Sequence, residues 1–266
     1  MGPNAAEDMA GMRLLDAHCH LDFMSNMREV AADAREDGLW VLANTVTPAG
    51  YVAARDALAD QSNVRVALGM HPWWVADGRV GEKGVHDFER LAAKARYVGE
   101  VGMDFSPKHV PEGSFDRQRE AFRRACVAAA ADGGTGPRVM SIHSVRSAGE
   151  VLDVLGQTGC LDRCRCVFHW FTGTSDELHR AVMAGCWFSV NEMMLRTRRG
   201  REYARQVPLA QLLTETDFPP GEDVPFSAGE IERSLEGCIR TIAESRGMEP
   251  NALATIVRDN AVRLLG

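Results

Sequence analysis

The chain has 266 residues, 45% of them hydrophobic, and a formal net charge of −7. That length exceeds the usual single-domain size but suits an α/β barrel run as one domain. The acidic balance excludes a protein that coats duplex nucleic acid through clustered Lys and Arg, and no apolar run approaches the roughly 18–20 residues a membrane span needs.

Residues 1–11 are mostly small and polar and are expected to form a disordered extension, with residues 12–266 as a single barrel-sized domain. No basic, apolar leader precedes residue 12. The seven cysteines are an odd count without disulfide-scaffold spacing, so the expected location is cytoplasmic and reducing. Short β-type runs begin near Met12, Leu39, Val64, Tyr97, Arg138, Arg165, Cys186 and Gln211, at intervals of 21 to 41 residues. Segments of helical composition lie between them, among them 28–38, 53–61, 115–134 and 147–157. Eight strand-then-helix units predict a parallel (β/α)8 TIM barrel. A doubly wound sheet would be expected to carry a Gly-rich loop after its first strand, where this chain has His-x-His-x-Asp. Residues 70–84 and 218–229 read as longer irregular segments, and extra helical sequence follows at 228–246 and 250–264.

The first run, LLDAHCHLDF, carries His18 and His20 two apart near its end. Strand geometry turns both to one face, with Cα atoms about 6.6 Å apart, close enough to share one metal ion. Four later runs also end in ligand-type side chains: Glu100 in YVGEVGMDF, His143 in RVMSIH, His169 in RCVFHW and Asp217 in QLLTETDFPP. In a parallel barrel the C-terminal strand ends converge on one mouth. Four imidazoles and two carboxylates suit two divalent cations, whether Zn, Mn, Co or Mg. Glu100 is the expected bridge between ions, and Asp217 the expected ligand and proton acceptor of a metal-activated water. Asp16 and Asp104 are placed to orient ligands from behind.

Read in order, DAHCHLDF, GMHPWW, VGEVGMDF, SIHS, VFHWFTGT and LLTETDFPP resemble the TatD family of metal-dependent deoxyribonucleases, amidohydrolase-like barrels, over residues 13–266. The resemblance implies a divalent metal pair and hydrolysis of phosphodiester bonds, often from DNA ends. Under it His18, His20, Glu100, His143, His169 and Asp217 match the metal ligands, and His71 matches a histidine near the substrate. ALGMHPWW, HWFTGT and GCWFSV are also similar to a QatD-like branch associated with bacterial anti-phage operons. That likeness implies antiviral defence and protein partners from such an operon. Two positions depart from the family. Val145 stands where an Arg is usual, with Arg146 following, and Phe218 precedes Pro219 and Pro220 after the terminal Asp. No Lys lies between Tyr97 and Gly102, so Glu100 takes the bridging place.

On the substrate side, His71 is positioned to hold a phosphate oxygen or protonate a leaving group. Trp73, Trp74 and Trp170 offer faces for base stacking, and Arg146 a phosphate contact. The basic run Arg196, Arg198, Arg199, Arg201 and Arg205 reads first as a solvated helical face. Cys160, Cys164 and Cys166 lack a fourth ligand at zinc spacing. Three functions remain open: a DNA phosphodiesterase, a hydrolase of amide or ester bonds in a small molecule, and a non-catalytic metal-binding subunit of a defence complex.

Overall fold

The structure is a computed structural model that describes Met9 and residues 11–131 and 136–266. Most of the expected N-terminal extension, residues 1–8 and 10, lies outside the described residues. Met9 is buried, and its carbonyl accepts from Met12 N at 2.9 Å. The strands are β1 (Leu14–Cys19), β2 (Leu39–Asn44), β3 (Val64–Met70), β4 (Tyr97–Asp104), β5 (Arg138–Val145), β6 (Cys164–His169), β7 (Trp187–Val190) and β8 (Leu212–Thr214). They form an eight-stranded sheet in the order β1 to β8, and every strand but the last is followed by helix before the next. This is the (β/α)8 TIM-barrel fold class. Near-continuous burial of β1, β2, β4 and β5 follows from strands covered on both faces.

The chain divides into two compact units. The first comprises residues 1–43, 56–65 and 188–266. In it β1 pairs with β2 and β7 with β8, both parallel. Its longest helix, Ala228–Arg246, buries Ile231, Leu235, Cys238, Ile239 and Ile242 at helical spacing. The last helix, Pro250–Leu265, is pinned to the start of β8 by Asn260, whose Nδ2 donates to the carbonyls of Leu209 (2.6 Å) and Leu212 (2.7 Å).

The second unit comprises residues 44–55 and 66–187 and pairs β3 through β6 in parallel. Glycines decide how closely β4 lies against β5. Gly99 and Gly102 sit at φ +152° and +148°, and a Cβ on Gly102 would fall 2.0 Å from the carbonyl oxygen of His143. Glu100 therefore projects from a stretch of backbone that admits no side chain on those two neighbours.

Arg138, only 4% exposed, opens β5. Its guanidinium donates to the carbonyls of Ala92 (3.1 Å), Ala95 (3.0 Å), Ala129 (2.9 Å) and Ala131. These lie at and just past the ends of helices Glu82–Ala92 and Phe115–Ala130, whose last carbonyls have no partner within the helix. Arg138→Met, which keeps the apolar stem, is expected to lower unfolding stability by about 3 kcal/mol, because several buried acceptors lose their donor together. A urea midpoint within error of wild type would show that Arg138 contributes little.

The segment read as irregular at 70–84 holds a short helix, Pro72–Ala76, and the start of helix Glu82–Ala92. Pro72 occupies the first helical position, and His71 Nδ1 accepts from Trp73 N at 3.1 Å. Residues 218–227 are irregular, as expected from the sequence. Among the described residues no helix is long and apolar enough to cross a membrane.

Candidate metal centre

In the first unit, Asp16 and His18 lie in β1 and His20 one position past its end, with a register irregularity between Asp16 and Cys19. His18 Nε2 and His20 Nε2 face each other at 3.3 Å, and Asp217 Oδ1 lies 3.4 Å from His20 Nε2 and 3.7 Å from His18 Nε2. Three ligand atoms thus lie within 4.8 Å of one another. The convergence has a local cause. Asp16, fully buried, accepts from His18 N (3.1 Å) and Thr216 N (3.0 Å) through Oδ1, and from Thr216 Oγ1 through Oδ2. Asp217 N in turn donates to His18 O at 2.9 Å. One carboxylate deep in β1 therefore fixes the residue before Asp217. Burial pushes the Asp16 carboxyl up to about 7, and the bonds from Thr216 and His18 partly offset this.

Asp217 adopts φ +60°, in the left-handed region, sparsely populated by non-glycine residues. Arg146 (φ +54°) and Trp170 (φ +39°) share this property, each one position past the end of its strand. Such outliers cluster at functional sites. Beside His20, Phe23 stacks at 5.0 Å and 18°. Burial raises the Asp22 carboxyl to about 6, with His20 lowering it in part. Glu215, not singled out in the sequence, is fully buried. It accepts from Ser189 Oγ and from Asn191 Nδ2 (2.9 Å).

In the second unit, three imidazole nitrogens converge on a single oxygen. Glu100 Oε1 lies 2.7 Å from His143 Nδ1, 2.9 Å from His169 Nε2 and 3.2 Å from His71 Nε2. All four side chains are at least nine-tenths buried. His143 reaches Asp104 Oδ2 with its other nitrogen at 3.3 Å. Burial lowers the His143 pKa, but the bonds to Asp104 and Glu100 outweigh it and hold the ring above its ordinary value. Burial likewise opposes ionisation of Asp104, yet hydrogen bonds from His143 and Trp73 keep it well below the usual carboxylate range.

Trp73 is half-buried, and its Nε1 donates to Asp104 Oδ2 at 2.7 Å, which fixes the indole plane. Trp74 is covered by Arg79, whose guanidinium carbon lies 4.0 Å from the ring centroid. Arg146 is exposed and Trp170 half-buried. The arginines of the run at 196–205 are all exposed, Arg205 pairing with Glu202 at 2.8 Å. Cys160, Cys164 and Cys166 are free thiols, and among the described residues none belongs to a set of three potential ligands within reach of one ion. His109, which no sequence motif marks, also meets Asp104 Oδ2 through its Nδ1, at 2.7 Å. That contact depends on a turn at 106–110 that no periodicity encodes.

The profile of TatD-related DNases matches residues 15–266. The chain belongs to this family. It is a TatD-family metal-dependent hydrolase. It is 30% identical over 268 residues to the Escherichia coli (strain K12) protein YcfH, named as an uncharacterized metal-dependent hydrolase, with 95% of this chain and 96% of that one covered. It is 28% identical over 256 residues to TatD of Rahnella sp. (strain Y9602), named as a 3'-5' ssDNA/RNA exonuclease, covering 91% and 93%. The crystal structure of YJJV, a TatD homolog from E. coli K12, superposes with a TM-score of 0.78 at 22% identity, over 96% of this chain and 98% of that one. This last likeness establishes the fold.

Proposed function

We propose that this TatD-family chain is a deoxyribonuclease that cleaves phosphodiester bonds in DNA single strands or ends, using two divalent ions of the Zn, Mn, Co or Mg type. The observation that carries the reading is the double convergence of ligand atoms. His18, His20 and Asp217 would hold one ion, and Glu100 with His143 and His169, whose nitrogens lie 2.7 and 2.9 Å from its Oε1, the other. Neutral imidazole nitrogens and carboxylate oxygens aimed at a common point inside buried clusters repel one another or crowd unless a cation or protons sit among them, so the donor sets fit such ions. The chemistry divalent ions supply is Lewis acidity, which lowers the pKa of water toward about 7 and neutralises phosphoryl charge.

The chain's own groups then divide the remaining work. Asp217, about a quarter exposed, takes the proton from the attacking water. His71 holds Glu100 in place. Trp73 and Trp170 present aromatic surface to bases, and Arg146, exposed just past β5, meets a phosphate. The Rahnella relative's name supports a single-stranded nucleic-acid substrate, and the scattered, odd cysteine count supports a reducing, cytoplasmic setting.

The test is incubation with 5'- and 3'-labelled single-stranded DNA in Mg, Mn, Co or Zn, beside a panel of amides and esters. Shortening of labelled DNA is expected, with the two labels reporting polarity, and metal analysis is expected to find about two ions per chain. Intact DNA in all four metals together with cleavage of an amide or ester would replace this reading with small-molecule hydrolysis.

A further inference from the structure

Within the second unit, Asp104 Oδ2 gathers three nitrogens: Trp73 Nε1 at 2.7 Å, His109 Nδ1 at 2.7 Å and His143 Nε2 at 3.3 Å. Asp104 is fully buried, whereas the His109 side chain is 38% exposed. An exposed imidazole tethered at Nδ1 to a buried carboxylate is held in one orientation, with Nε2 left for a ligand. Because His109 Nδ1 and His143 Nε2 share one oxygen, they lie no more than 6.0 Å apart. His109 is therefore a close neighbour of the Glu100 cluster, and Trp73 flanks it with ring centroids 5.0 Å apart.

His71 is poorly suited to proton delivery. Its Nδ1 accepts from Trp73 N, so the ring carries its proton on Nε2, which faces Glu100 Oε1 at 3.2 Å. The His71 side chain is 6% exposed. Neither nitrogen is left to exchange protons with solvent.

Resting on the nuclease reading above, we propose that His109, held by Asp104, is the general acid that protonates the leaving oxygen of the phosphodiester. In the step, a water oxygen bonds to phosphorus as the bond from phosphorus to the departing sugar oxygen breaks. The water proton goes to solvent base, and the Nε2 proton of the doubly protonated His109 ring goes to the departing oxygen. Neutral His109 keeps its Nδ1 proton on Asp104 and regains the other from solvent. The products are a phosphomonoester end and a sugar hydroxyl.

Leaving-group chemistry provides the test. A sugar alkoxide needs a proton to depart, whereas 4-nitrophenolate does not, so a general acid matters for DNA and little for bis(4-nitrophenyl) phosphate. His109→Gln and His109→Ala are expected to lower kcat on single-stranded DNA about 10²- to 10³-fold with little change in KM. The loss on DNA should exceed that on the aryl diester by about thirtyfold or more. Equal losses on both substrates would overturn the proposal in favour of a structural role, and so would undiminished DNA cleavage. A wild-type protein that cleaves neither diester would instead sink the nuclease reading itself. Independently of turnover, ring-nitrogen NMR of the neutral ring is expected to find the His109 proton fixed on Nδ1 and its tautomers mixed in Asp104→Asn. Mixed tautomers already in wild type would also overturn the proposal.

Discussion

Asp217→Asn is expected to lower kcat by about 10³-fold or more while leaving the protein folded and most of its metal bound. The carboxamide has the shape of the carboxylate and can still offer an oxygen toward His18 and His20, from which Asp217 Oδ1 stands 3.7 and 3.4 Å. It cannot take a proton. The backbone accommodates the change: Asp217 sits at φ +60°, a conformation Asn adopts as readily as Asp, and its N–H bond to His18 O does not involve the side chain. The bonds of Asp16 to Thr216, which set this turn, are likewise untouched. Steady-state kinetics, metal content and a thermal melt on the same preparation separate the effects. Full activity in the variant would remove Asp217 from proton transfer.

Glu100→Gln is expected to strike the metal rather than the proton. Three imidazole nitrogens lie within 3.2 Å of one carboxylate oxygen that is 2% exposed. Removing the negative charge there takes away the only anionic donor among Glu100, His143 and His169, and an amide is a poor ligand for a hard divalent ion. On the proposed two-ion reading, protein dialysed against buffer without chelator should lose about one ion, with DNA cleavage down by about 10³-fold. An unchanged ion count would show that the histidines suffice and that Glu100 serves elsewhere. The two variants should thus differ in kind, one retaining metal without turnover and the other losing both.

What was legible in the chain was whatever rides on strand periodicity. All eight strands begin within two residues of their expected positions, because β-type runs bounded by turn residues carry that signal locally. His18 and His20 meet as their spacing predicts, Nε2 to Nε2 at 3.3 Å, although the register is irregular there. Helix starts were less legible where capping replaces composition. The helix read from residue 53 begins at Pro48, with Thr47 Oγ1 accepting from Gly50 N at 3.0 Å. The short helix after His71 carries no usual start signal, because histidine is an uncommon cap. Asp104 could be suspected from its spacing after Glu100, but its convergence with Trp73 and His109 depends on loop conformation. Glu215 was overshadowed by Asp217 two residues on, although Ser189 and Asn191 hold it from the neighbouring strand and its end.

The backbone around Glu100 sets a limit on how this centre can be altered. With Gly99 hemmed in by Asn44 and Ser141 and Gly102 by His143, a library randomised at those two codons would return almost nothing but the parent glycines. Attempts to retune ion selectivity must instead vary the imidazoles around the carboxylate or the groups behind them, since neither glycine beside the acid's strand position can take a side chain.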